Sequence, residues 1–247
     1  MHFPFCKQKC LYCDFNSYSG YDELIPAYLK ALRMELAGYM PFAQPLGSLY
    51  FGGGTPSYLP TGLLAGLLSS ILQVNGDAPR EITLEANPGT LTQTSLSGLR
   101  EAGFNRLSLG LQATQDELLA TIGRIHTWRD FCISYELARQ AGFDNIGVDL
   151  IFGLPGQTAE AWRDTLKMLV ELAPEHISTY ALQVEPGTPL ETMVGSGRLR
   201  LPEEEATVAM FQTVMTYLPE HGYNHYEISN YARPGFESLH NLHYWLS

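Results

Sequence analysis

At 247 residues the chain is long enough to bury a large core in one or two domains. Hydrophobic residues make up 45% and charged residues 17%, and 15 Lys plus Arg stand against 26 Asp plus Glu, for a net charge of −11. That acidity removes any global electrostatic reason to bind nucleic acid or an anionic membrane surface, and no apolar run approaches the ~18 residues of a membrane span.

The opening Met1-His2-Phe3-Pro4-Phe5 has no basic region ahead of an apolar stretch, so no secretory leader is expected. Residues 2–5 read as the tail of a first strand whose start is missing. Predicted strands at 48–51, 81–85, 106–111, 146–151 and 177–182 then alternate with predicted helices at 22–39, 61–74, 93–102, 115–122, 127–141, 159–171 and 203–218. Such alternation implies an α/β fold of parallel strands with right-handed crossovers. It gives about six βα units, followed by a short extra strand at 225–228. Asn87-Pro88-Gly89 and Gly153-Leu154-Pro155-Gly156 are turns between strand and helix. Gly103 and Gly142 end helices as left-handed caps. No linker divides the chain, so one main domain is expected at 1–190, with 191–247 as an appended segment.

Polar and glycine-rich residues gather just after the strands: Gly52-Gly53-Gly54-Thr55-Pro56, Glu85, Gln112, Asp149 and Gln183. The C-terminal edge of parallel strands is where ligands bind in such folds. Three of the four cysteines, Cys6, Cys10 and Cys13, fall in one C-x3-C-x2-C loop, which points to a metal site in a reducing cytoplasm. Four thiolates would close an iron–sulfur cluster, whereas three leave one iron open to a ligand. The alternative is a structural zinc site completed by His2. Cys132, between Phe131 and Ile133 in a predicted helix, reads as a small core residue.

This cysteine loop resembles that of radical S-adenosylmethionine (SAM) proteins, in which a [4Fe–4S] cluster binds SAM and reductively cleaves it to a 5′-deoxyadenosyl radical. The stretches HFPFCKQKCLYCDFNSY, FGGGTPSYL, LEANPGTL, GFNRLSLGLQ, GRIH, VDLIFGLPGQT, YALQVEPGTPL, YEISNYARPG and HNLHYW extend the likeness over nearly the whole chain. Together they resemble the oxygen-independent coproporphyrinogen III oxidase family, and within it the heme-chaperone branch. That resemblance implies a partial (β/α)6 TIM-like radical SAM barrel with a small appended C-terminal α/β segment. It implies Cys6, Cys10 and Cys13 as cluster ligands. It also implies Tyr12, Gly53, Gly54, Thr55 and Glu85 around SAM, with the glycines admitting a close backbone approach, and Gln112, Arg124 and Asp149 around SAM or, as in the oxidase branch, a second SAM. For two of these a plainer reading stays open: Arg124 as a surface ion pair, and Asp149 as a cap of the next turn.

Two features separate the branches. The oxidases carry a further cysteine two residues past the third ligand, where this chain has Phe15. The chaperones carry H-N-x-x-Y-W, here His240-Asn241-Leu242-His243-Tyr244-Trp245. The resemblance assigns His240 as a heme ligand and Tyr244 and Trp245 as packing against the macrocycle; the alternative is a polar turn with aromatic core residues. The family also has a SAM-contacting tyrosine before the position of Met1 and continues past the motif, so a truncated chain is expected. The expected function is heme binding and delivery to respiratory proteins, with heme or porphyrin as partner and peripheral membrane association compatible with it. The alternatives are oxidative decarboxylation of coproporphyrinogen III and a zinc-stabilised interaction protein.

Overall fold

The computed structural model describes residues 1–39, 46–75 and 78–246, without the side chains of Val74 and Asn75. In Ser48-Leu49-Tyr50-Phe51, Arg106-Leu107-Ser108-Leu109 and His176-Ile177-Ser178, polar and apolar residues alternate with a period of two. A strand sends such alternate residues to opposite faces. The apolar set, including Phe51, Leu84, Leu107, Leu109, Val148, Leu150 and Ile177, is buried in one core with helix residues such as Leu68, Leu96, Phe131 and Trp162. The polar set is left facing the other way.

The strands are β1 (His2–Phe3), β2 (Ser48–Gly53), β3 (Glu81–Ala86), β4 (Arg106–Gln112), β5 (Ile146–Phe152) and β6 (His176–Ala181). They pair in chain order and all in parallel. The crossovers carry α1 (Ile25–Tyr39), α2 (Thr61–Asn75), α3 (Gln93–Ala102), α4 (Asp116–Thr121), α5 (Trp128–Gln140) and α6 (Ala159–Leu172). The predicted helix at 22–39 starts later, because Asp22–Leu24 forms a 3-10 turn. Pro26 sits in the first turn of α1, where a missing amide costs nothing. Thr92 and Thr127 cap α3 and α5 reciprocally with Ser95 and Asp130. Gly103 and Gly142 take the expected left-handed conformation, at φ 114° and 87°.

The C-terminal part differs from expectation. A helix not foreseen, α7 (Pro189–Gly195), is capped by the Thr188 side chain, which accepts from the Glu191 amide. Its Thr-Pro-x-Glu start was a legible signal. Next, α8 (Glu204–Glu220) packs on α6, where the buried Trp162 indole donates to the Met210 carbonyl at 3.0 Å. The single strand expected at 225–228 is instead two, β7 (Asn224–His225) and β8 (Asn230–Ala232). The chain turns between them, leaving Ile228 exposed and burying Tyr231 in the core. Both pair antiparallel, β8 with β6 and β7 with β8, so the sheet is open with β1 and β7 at its edges. Last comes α9 (Leu239–Leu246), which turns the HNLHYW stretch into a helix instead of a turn. Among the described residues, no helix is long and apolar enough to cross a membrane.

Candidate functional site

The polar faces of β2 to β6 line one cavity of about 510 Å³, so the sheet wraps around it. That volume falls within the ~300–1,000 Å³ typical of small-molecule sites. The C-terminal strand ends form its mouth. All three cysteines of the N-terminal loop line it, and so do Tyr12, Gly53, Gly54, Thr55, Glu85, Gln112, Arg124 and Asp149.

The cysteine loop is strapped across the mouth by backbone bonds. The Leu11 amide donates to Ile122, the Leu11 carbonyl accepts from Leu190 at the start of α7, and the Cys6 amide donates to Tyr18. Each thiol has a polar side chain beside it: Thr55 Oγ1 at 3.5 Å from Cys6, Arg124 Nη1 at 3.5 Å from Cys10, and Ser17 Oγ at 3.9 Å from Cys13, which the Phe15 backbone also meets. Donors at sulfur suit thiolate ligands of an iron–sulfur cluster and help set its potential. Burial pushes the Cys13 thiol up. Among the described residues, no three His, Cys, Asp or Glu side chains converge as ligands of a single metal ion. His2, the fourth ligand of the zinc alternative, has its Nε2 at 2.9 Å from the Asn16 carbonyl. A four-iron cubane spreads its protein thiolates over separate irons and needs no such convergence.

The glycines at the end of β2 have a reason inside the protein itself. A Cβ at Gly53, whose φ is 115°, would come within 2.4 Å of the His2 ring. At Gly54 it would lie 2.8 Å from the Phe3 and Phe5 carbonyls and 3.0 Å from Cys6 Sγ. Only glycine therefore lets β2 press its amides onto the cysteine strand: Gly54 and Thr55 donate to the Phe3 and Phe5 carbonyls at 2.8 Å.

Glu85, next to last in β3, accepts from the Tyr50 hydroxyl at 2.8 Å and the Gly53 amide at 3.0 Å. Burial raises its carboxyl to about 6, against those two hydrogen bonds, which lower it. Asp149 is also raised by burial, and Ser178 and Ser108 hydroxyls hold it back, the latter at 3.0 Å. It therefore caps no turn. Arg124 is no surface ion pair: it donates to the Asn87 side chain at 2.7 Å, to the Gly110 carbonyl and to Cys10. Gln112 adopts a left-handed φ of 72° beside a register shift in the β4–β5 pairing. Such a conformation in a non-glycine residue costs about 1–2 kcal/mol and clusters at ligand sites. Tyr12 packs with Ile151 and Leu154 in a small apolar cluster, which fixes the loop's aromatic ring.

His240, Tyr244 and Trp245 are not brought to this cavity. The carboxylate of Glu81, the first residue of β3, accepts from Ser238 Oγ, the Leu239 amide and the His240 amide at 2.9–3.2 Å. These bonds seat α9 at the N-terminal strand ends, opposite the cysteine loop. The His240 ring stacks on Tyr50 with centroids 4.8 Å apart, and its Nδ1 lies 3.2 Å from Ser48 Oγ. Tyr244 and Trp245 are 81% and 56% exposed, so they are not core residues. Of this motif only Asn241 reaches the cavity, at its floor.

Tyr50, Ser108, Ser178, Arg106 and His176 also line the cavity and were not foreseen. Their signal was the alternation itself: every second residue of β2, β4 and β6 is polar or glycine, from the first residue onward.

The family profile described as the Radical SAM superfamily matches residues 1–169, and the chain belongs to that superfamily. Membership implies a [4Fe–4S] cluster and SAM. The chain is 43% identical over 250 residues to the heme chaperone HemW of Bacillus subtilis, covering 99% of this chain and 66% of that protein. It is 41% identical to the HemW of a Synechocystis species, covering 99% and 61%. It therefore spans a little under two thirds of the length of these curated relatives. Among solved structures, coproporphyrinogen III oxidase (HemN) from Escherichia coli, a radical SAM enzyme, matches with a TM-score of 0.83 and 31% identity, over 96% of this chain and 55% of that one.

Proposed function

We propose that this chain is the cluster-bearing core of a heme chaperone that handles heme for respiratory proteins in the cytoplasm. The observation that supports it most is the convergence of three cysteines and eight further residues on one cavity, in a chain similar along its length to proteins named heme chaperones. In this reading Cys6, Cys10 and Cys13 carry the cluster. Tyr12, Gly53, Gly54, Thr55, Glu85, Gln112, Arg124 and Asp149 surround SAM. When bound, the cluster and SAM supply one-electron reductive chemistry. The protein's own part is to hold and screen them. Glu85, buried and tied to Tyr50, offers a carboxylate to a cationic amine, and the Arg124 guanidinium steadies the Cys10 sulfur. Residues 1–190 form the radical SAM core, and 191–247 begin a segment specific to the family.

Heme is assigned to α9. Burial lowers the His240 imidazole's proton affinity, so it is neutral at physiological pH, the form that ligates iron. Tyr244 lies one turn along the same helix and, with Trp245, offers exposed aromatic surface. The test is a hemin titration of the anaerobically reconstituted chain against His240→Ala and Tyr244→Ala. Saturable binding that weakens at least tenfold in His240→Ala supports the assignment. Equal binding by all three refutes it.

The structural likeness to an oxidase favours a second reading, decarboxylation of coproporphyrinogen III. Phe15, where the oxidases have a cysteine, counts against it. Formation of a vinyl product from coproporphyrinogen III under reducing, anaerobic conditions, with no hemin binding, would replace the chaperone reading with this one.

A further inference from the structure

The floor of the cavity holds two donors with nothing to donate to. Arg106, the first residue of β4, is 3% exposed and makes no hydrogen bond or ion pair among the described residues; its Nε is buried and unpartnered. His176, the first residue of β6, is 1% exposed. Its Nε2 lies 2.7 Å from the Tyr226 hydroxyl. That hydroxyl oxygen already accepts from the Ser238 amide and the Asn241 side chain, at 3.4 and 3.3 Å. Its single proton therefore goes to His176 Nε2, which fixes the tautomer with the hydrogen on Nδ1. Nδ1 is buried and unpartnered as well.

Both orphan donors border one notch. Gly147 on β5 lies between them, and a Cβ there would come 3.0 Å from Arg106 Nη2 and 3.4 Å from His176 Nδ1. Asp149 and Glu85 face the same cavity and lie within electrostatic reach of Arg106, but their hydrogen bonds go to Ser108 and Ser178 and to Tyr50 and Gly53, and neither meets the guanidinium directly. A buried guanidinium whose N–H groups have no acceptor carries a desolvation cost that an acceptor in contact with it would relieve. We infer that the Arg106–His176–Gly147 floor is a carboxylate-binding subsite, separate from the cysteine end, which receives the carboxylate of a second occupant of the cavity. Arg106 supplies charge and a two-pronged donor face, and His176 supplies one neutral N–H. Gly147, lacking a Cβ, keeps the gap between the two donors unobstructed.

Two sources share this chemistry: a free small carboxylic acid, and a propionate arm of a porphyrin. Propionate is the probe, with propionamide as the neutral control, followed by ligand-detected NMR on the full chain. The expected result is saturable propionate binding, no propionamide binding, and a loss of about tenfold in Arg106→Gln and in Gly147→Ala. If Arg106→Gln does not fold, Gly147→Ala decides alone, because its methyl group crowds both donors without removing either. Competition then separates the sources. Hemin that displaces propionate while its dimethyl ester does not makes the arm a porphyrin propionate. Failure of both to displace bound propionate makes it a free carboxylate. Absence of saturable propionate binding, or equal binding by wild type and both variants, overturns the subsite and leaves the floor as a hydrated cavity.

Discussion

The two ends of the sheet present their chemistry in opposite ways. Toward the C-terminal ends, residues from five strands and the N-terminal loop meet in one cavity, and Glu85, Asp149 and Arg124 are each held by partners from other parts of the chain. At the N-terminal ends, a single contiguous motif lies along one helix, with Tyr244 and Trp245 exposed and its start tied down by Glu81 and Ser48. The first is a site by convergence, built from side chains far apart in the chain. The second is a docked element, and its attachment rests mainly on one carboxylate, Glu81.

That contrast can be broken at its strongest point. Cys13→Ser is expected to abolish cluster assembly, measured as iron and sulfide content after anaerobic reconstitution, whereas Tyr244→Ala leaves content unchanged. Loss of cluster in the second variant would mean that the two ends are not independent. Glu81→Ala comes next. It strands three donors at the start of α9, two of them backbone amides, and is expected to cost on the order of 3 kcal/mol. Denaturant unfolding measures the cost, and fast amide exchange confined to α9 distinguishes undocking from global damage.

A smaller effect lies in the pH dependence of the mouth. The Glu85 carboxyl is raised from 4.5 to about 6 in the folded protein. Proton binding therefore favours the fold: this contribution is full below about 4.5 and is lost as pH rises through about 6. It amounts to roughly 2 kcal/mol, and Glu85→Gln should flatten that part of the stability profile. An unchanged profile would move the titration elsewhere. The smallest effect sets the scale outside both regions. Ala173 ends α6 at φ 55°, a left-handed cap that glycine adopts without strain. Ala173→Gly should add about 0.5–1 kcal/mol in thermal unfolding, with cluster content and hemin binding unchanged.

The strand and helix order was legible because period-two alternation and capping residues are local signals. The cysteines and the edge residues were legible because the family motifs are contiguous. What stayed hidden depends on distance. Nothing near Glu81 announces that it caps a helix 158 positions later. Tyr50 and Arg106 read as ordinary strand residues until the sheet wraps and turns their face inward. The left-handed backbone of Gln112 also could not be read, since composition favours glycine there and only the neighbouring register shift imposes it. The plainer readings of Arg124 and Asp149 failed for the same reason: burial is a property of the assembled sheet.

The most direct measurement is electron paramagnetic resonance of the reconstituted, reduced chain with and without SAM. The expected result is a [4Fe–4S] signal that depends on all three loop cysteines and shifts on adding SAM, with the shift weakened in Glu85→Gln. Bound zinc in place of iron, or a cluster signal indifferent to SAM, would contradict the assignment of the cavity.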